Sequence, residues 1–142
     1  MCTVREVVSN WAVVLFFLLG GGCSQQDKGL IVPGKSVGQY RLHQAMPEVH
    51  NGDVSAYARA SAKGLLLSFK GDSVSVISVC STNYHTSEGL CLGSPESQVL
   101  AAFGEPDQKS TNDLKHFLNY KIRGIQVYCK DGRVILINVL DT

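Results

Sequence analysis

The sequence predicts an α+β fold of two tandem repeats. Each repeat is a short helix plus antiparallel strands, and together they form one roughly six-stranded antiparallel sheet with the helices on one face. Three observations predict it. GLLLSFKGDSVSVISV, from Gly64, matches GIQVYCKDGRVILINV, from Gly124, at a spacing of 60; Lys70/Lys130, Val74/Val134, Ile77/Ile137 and Val79/Val139 coincide. RLHQAMPEVHN, from Arg41, matches CLGSPESQVLA, from Cys91, more weakly at a spacing of 50, through Leu42/Leu92 and Val49/Val99. The matches run in the same order along the chain, and in each copy a helical pattern precedes a strand pair.

The elements follow in order. Residues 1–22 read as a secretory signal: Arg5, the apolar run WAVVLFFLL (Trp11–Leu19), then Gly20-Gly21-Gly22 before Cys23. The run is shorter than the ~20 apolar residues a membrane-spanning helix needs. Cys23 to Pro33 read as a flexible tether, about ten polar, glycine-containing residues reaching roughly 18 Å. Residues 34–142 are the domain, with repeat one over about 34–82 and repeat two over about 86–142. In repeat two, Ser94 caps a helix, Pro95 takes its first position and Glu96 favours its positive end. Val99, Leu100 and Phe103 form one apolar face; Gly104 and Pro106 end the helix. Gln108–Asp113 reads as a polar loop and His116–Ile122 as a strand before a turn at Arg123-Gly124. Ile125, Val127 and Cys129 alternate as a half-buried strand, Lys130-Asp131-Gly132 turns, and Val134–Leu140 is a more fully buried strand. Repeat one is weaker, with Pro47 in its first helical turn, a turn signal at Asn51-Gly52, and Leu65, Leu67 and Phe69 matching the inward set of repeat two. Each half alone has too little core, and pairing buries a continuous one.

GLIVPGKS, Gly29–Ser36, spells G-x-x-x-x-G-K-[ST], the phosphate loop of nucleotide hydrolases. That loop needs a buried strand before it and a helix after it, whose N–H groups hold the phosphates. Here a tether precedes it, Val37-Gly38-Gln39-Tyr40 is a poor helix start, and Pro33 removes one N–H. The expectation is no nucleotide. A net charge of +1 without blocks of like charge leaves no nucleic-acid footprint.

Five cysteines are present. With Cys2 in the signal and Cys23 at its end, Cys80, Cys91 and Cys129 remain, an odd number for an oxidising compartment. A Cys80–Cys91 disulfide would staple STNYHTSEGL and contribute about 2–4 kcal/mol. A Cys91–Cys129 bond and three reduced thiols are the alternatives. The histidines His43, His50, His85 and His116 are scattered with no C-x-x-C or H-x-x-x-H spacing, so no metal is expected. LGSPES (Leu92–Ser97) is the nearest approach to a nucleophile turn, but Ser94 there suits a cap. Glu105/Asp107 and Glu88/Glu96 are carboxylate pairs on polar stretches and read as solvated surface. No catalytic residue and no cofactor is expected.

LLGGGC resembles the lipobox of bacterial lipoproteins, which implies lipid on Cys23; Ser24 after it, rather than Asp, implies export to the outer membrane. GKSVGQYRLHQAMPEV and GLCLGSPESQVLAAFGEPD, each followed by a strand pair around a glycine turn, resemble the tandem-repeat fold of the β-lactamase-inhibitor protein family. They also resemble the small outer-membrane assembly lipoproteins of the SmpA/BamE type. The resemblance covers Val32–Leu140 and implies a non-catalytic, protein-binding role with another envelope protein as partner. The surface expected to make that contact is the outward sheet face with Tyr120, Gln126 and Tyr128, and Tyr57 as a further aromatic. A soluble secreted inhibitor or ligand binder is the alternative, and a small hydrolase or redox protein a more distant one.

Overall fold

The structure, a computed structural model, describes residues 29–50, 55–113 and 115–142. The signal segment, Cys23, the tether up to Lys28 and the Asn51-Gly52 turn lie outside the described residues, as do the side chains of Glu48 and His50. In chain order the elements are β1 (Leu30–Val32), β2 (Ser36–Val37), β3 (Tyr40–Arg41), α1 (Pro47–His50), α2 (Ser55–Ser61), β4 (Leu65–Lys70) and β5 (Ser73–Val79). They continue with β6 (His85–Thr86), α3 (Glu96–Phe103), β7 (Gln108–Asn112), β8 (Lys115–Tyr120), β9 (Ile125–Lys130) and β10 (Arg133–Leu140).

The main layer is a six-stranded antiparallel sheet in the order β4-β5-β10-β9-β8-β7. Side chains alternate between faces along each strand, so one face collects Leu65 and Leu67, Val74, Ile77 and Val79, Ile125, Val127 and Cys129, and Val134, Ile137 and Val139, all buried. Ala56 and Ala60 of α2 and Val99 and Phe103 of α3 join these residues in one core cluster. The fold is therefore α+β, as the periodicity predicts.

The two strand pairs obey the same rules at a spacing of 60. In β4-β5 the register shifts between Ser68 and Phe69, leaving Ser75 as the extra residue. In β9-β10 the shift falls between Val134 and Leu136, leaving Ile135. The chain entering each pair is held alike: His43 N–H donates to the Val74 carbonyl and Gly93 N–H to the Val134 carbonyl, both at 2.8 Å. Isolated bridges join Ala45 to Ser73 and Pro95 to Arg133. At the sheet centre Ser78 faces Asn138, flanked by Ile77 opposite Val139 and Val79 opposite Ile137.

Several expectations are corrected. Gln108–Asp113 is not a loop, because Gln108–Asn112 forms β7, paired in continuous register with β8 from Gln108↔Asn119 to Asn112↔Lys115. Its side chains are all exposed, and an edge strand that buries nothing has no apolar alternation to read. The ordered domain begins before residue 34. Leu30–Val32 form β1, antiparallel to β2 and parallel to β6, in a second four-stranded sheet of order β3-β2-β1-β6. Ile31, expected in the tether, is 1% exposed in the core. Strands of two or three residues are too short to carry a period. Ser94 does not cap α3: Pro95 is the N-cap residue, with no side-chain cap hydrogen bond, and the Ser94 hydroxyl accepts from Cys91 N–H at 3.1 Å. GLIVPGKS is β1, a turn and β2. Lys35 N–H closes the turn on the Val32 carbonyl at 3.0 Å, and a strand stands where a phosphate loop needs a helix.

Candidate functional site

The outward face of the main sheet is the surface expected to make contacts, and the strand registers fix what it presents. Antiparallel partners point to the same face. Tyr120 faces Ile125, which is in the core. Tyr120 is accordingly buried, 3% exposed, with its hydroxyl donating to the Gly104 carbonyl at 2.9 Å. Its edge meets the Phe103 ring at 5.4 Å. Burial, reinforced by the nearby Glu105, Cys129 and Glu96 charges against an opposing Arg123, pushes its pKa up to about 12. Tyr120 is a core residue that anchors the end of α3 and is removed from the contact surface.

Gln126 and Tyr128 do lie on the outward face, half-buried. The face is organised in rows running across the strands. One row holds Gln108, Asn119, Gln126 and Asn138. Asn119 Nδ2 donates to Gln108 Oε1 at 3.2 Å, while the Oδ1 atoms of Asn119 and Asn138 are buried without a partner among the described residues. The next row holds Ser110, Phe117, Tyr128 and Leu136. The Phe117 and Tyr128 rings lie 4.8 Å apart, tilted by 41°. The last row at this end contains Asn112, Lys115, Lys130 and Arg133. Ile135, the bulge residue, is 49% exposed. A pocket of ≈ 200 Å³ is lined by Ser110, Lys115, Phe117, Tyr128 and Ile135 among others. Phe117 and Lys115 were missed because the β8 register was not fixed, and Lys130, the last residue of β9, because it reads as part of the following turn. Counting back from Ile125 across the turn would have placed the first two.

On the opposite face, the start of α3 is tied to the β7-β8 edge. Glu96, whose side chain is 13% exposed, accepts from Lys109 Nζ at 3.4 Å and lies 2.6 Å from His116 Nδ1. It is not solvated surface, as expected of it, but a partly buried joint. His116 in turn faces Cys129 across β8-β9. A thiol, an imidazole and a carboxylate in sequence would serve a nucleophilic cysteine if the thiol were acidic. It is the reverse: burial, and then the Glu96 charge, push Cys129 up to about 11, opposed by Lys109. Cys129 is 1% exposed and points into the core, as its alternation predicts.

The remaining cysteines depart from expectation. Cys80 is an exposed free thiol and Cys129 a buried one, whereas Cys91 is disulfide-bonded. Neither the Cys80–Cys91 bond nor the Cys91–Cys129 bond is therefore formed. At the end of β5, Cys80 N–H donates to the Gly64 carbonyl at 2.8 Å, and Cys91 N–H donates to the Ser94 hydroxyl at 3.1 Å. The described histidines sit on separate elements. His43 Nε2 meets Asp141 Oδ2 at 3.2 Å, His85 is buried in β6, and His116 is held by Glu96. Among the described residues no three His, Cys, Asp or Glu side chains are grouped to hold a metal ion. Tyr57 is 40% exposed and packs edge-on against Phe69 at 5.0 Å, away from the Phe117–Tyr128 row.

Compared with known proteins, the chain matches no family model, and no curated protein and no solved structure matches it.

Proposed function

We propose that this protein is an exported, lipid-anchored, non-catalytic binding module that acts by protein–protein contact at the cell envelope. The lipid would sit on Cys23, at the outer membrane, with the domain facing the periplasm or the exterior. The observation that carries the reading is the outward sheet face, where the amphipathic Tyr128 and the apolar Phe117 lie half-buried beside exposed lysines. Aromatic residues in such surroundings are the usual material of interfaces. The high pKa of Cys129 favours a non-catalytic role, because the Cys129–His116–Glu96 arrangement holds a thiol rather than a thiolate. The hairpin geometry of Gly29–Ser36 supports the absence of nucleotide.

Duplication is part of the proposal. Equivalent bulges at Ser75 and Ile135, equivalent bridges at Ala45 and Pro95, and the central Ser78–Asn138 pair favour two repeats related by an approximate two-fold axis. This supports the likeness to the tandem-repeat inhibitor family and to SmpA/BamE-type lipoproteins.

A second reading is a soluble secreted binder without lipid. Cys91 is disulfide-bonded, as suits an exported chain in an oxidising compartment, with or without a lipid. Cys23→Ser separates the readings: loss of the mature protein from the membrane fraction supports the anchor, and unchanged fractionation excludes it. Tyr128→Ala tests the contact face. Crosslinked capture of an envelope partner should fall while the thermal transition persists, and unchanged capture counts against the face.

A further inference from the structure

One corner of the outward face carries a conflict that folding does not explain. Lys115 and Lys130 are direct cross-strand partners, and both are exposed. Like charges placed opposite one another destabilise a strand pair. Neither lysine has a carboxylate partner among the described residues, although Asp113 and Asp131 sit in the adjacent turns. One row inward, the Phe117–Tyr128 pair and the bulged Ile135 form an apolar recess beside Ser110, with a volume of ≈ 200 Å³. Sites for drug-sized molecules run from roughly 300 to 1,000 Å³, so this recess suits a single large side chain. Next to it lies β7, an edge strand with every residue exposed and one edge unpaired among the described residues.

We propose that this corner binds an extended peptide segment of a partner protein, carrying one large apolar side chain flanked by carboxylates. The inference rests on the reading of the outward sheet face as the contact surface. The carboxylates relieve the Lys115–Lys130 repulsion and the apolar side chain fills the recess. The free edge of β7 offers backbone hydrogen bonds that an extended chain can match. An anionic membrane surface fits less well, because Lys115, Lys130 and the adjoining Arg133, whose guanidinium already donates to the Gly93 carbonyl, fall short of the clusters of roughly four to eight that hold proteins on anionic lipid. A flat leaflet also has nothing to pair with a strand edge.

The test uses the purified full chain and a fluorescein-labelled peptide, Glu-Glu-Ser-Phe-Ser-Glu-Glu, read by fluorescence polarisation. Controls carry glycine for phenylalanine or lysine for glutamate. The acidic phenylalanine peptide should bind. Its affinity should fall by about tenfold or more on the exposed double substitution Lys115→Glu/Lys130→Glu, on Ile135→Asp, and in both control peptides. The thermal transition of Lys115→Glu/Lys130→Glu should match that of the parent. No binding, equal binding of the lysine-flanked peptide, or undiminished binding by the lysine variant overturns the proposal. So does binding confined to phosphatidylglycerol vesicles and lost in the lysine variant, which would make this a membrane-facing patch. If Tyr128→Ala loses partner capture while no peptide binds, the peptide chemistry falls and the contact face stands. If capture is unchanged in Tyr128→Ala, both fall.

Discussion

Gly34 N–H donates to the Gly124 carbonyl at 3.1 Å, and the two backbones touch where no side chain fits. Gly34 comes from the apparent phosphate loop and Gly124 from the turn that opens the β9-β10 pair. A Cβ at Gly124 would collide with the Leu140 carbonyl oxygen and would lie 2.5 Å from Gly34 Cα. Gly124 also has φ of 65°, in the left-handed region. Gly132 has φ of 74° but open space around it. Strain alone costs about 1 kcal/mol at such a site, and strain plus backbone collision about 3 kcal/mol. Urea unfolding should therefore rank Gly124→Ala as the more damaging by about 2 kcal/mol. Equal effects would show that the Gly34–Gly124 contact contributes nothing.

Cys80 and Cys129 should separate by reactivity. Cys80 is exposed and free, whereas Cys129 is buried with its pKa pushed up to about 11. A thiol reagent at neutral pH should label Cys80 in the native protein and Cys129 only after unfolding. Native labelling of Cys129 would contradict its place in the core.

The same burial gives a direction to alkaline instability. Cys129 is raised from 9.0 to about 11 and Tyr120 from 10.0 to about 12. The folded state holds these protons longer than the unfolded one, so the associated stability is complete below pH 9 and is lost as pH rises through 9 to 12. Unfolding midpoints should fall between about pH 8 and about pH 10.5. Cys129→Ala, whatever it costs by cavity formation, should show a shallower fall. An unchanged slope would count against the thiol as a contributor.

Glu96 joins α3 to the sheet edge through Lys109 and His116. Charge-assisted hydrogen bonds in partly buried positions are worth about 1.5–3 kcal/mol. Glu96→Ala should cost about 2 kcal/mol and raise amide exchange along β7 and β8 before the rest of the sheet. Equal protection of β7 in both proteins would show that the edge is held by its ladder alone.

The two tyrosines should divide stability from binding. Tyr120→Phe removes the hydrogen bond to Gly104 and should cost about 1 kcal/mol with binding intact. Tyr128→Ala should abolish binding, at a stability cost of about 1 kcal/mol from the lost Phe117 ring contact that leaves the fold intact.

What the sequence disclosed followed the strength of its periodicity. The strands β4, β5, β9 and β10 were legible because they are long and alternate toward a core, and α3 because Val99 and Phe103 fall on one face before Gly104. The β7 strand was hidden because Gln108–Asn112 buries no side chain, and β1 because three residues cannot show a period. Of the expected contact residues, Gln126 and Tyr128 were placed rightly because β9 alternates cleanly. Tyr120 was misplaced because its face depends on the turn at Lys121–Gly124, which decides the β8 register. Phe117 and Ile135 were invisible for related reasons: one needed that register and the other a bulge, and neither is a local property of the residue.

The central claim turns on the sulfur of Cys23. Mass analysis of the protein recovered from membranes, with peptides mapped without reduction, reads it directly. The account predicts a chain beginning at Cys23 with acyl-bearing lipid on that residue. A Cys23 joined to Cys91, or an unmodified Cys23 in a chain recovered only in the soluble fraction, would contradict it.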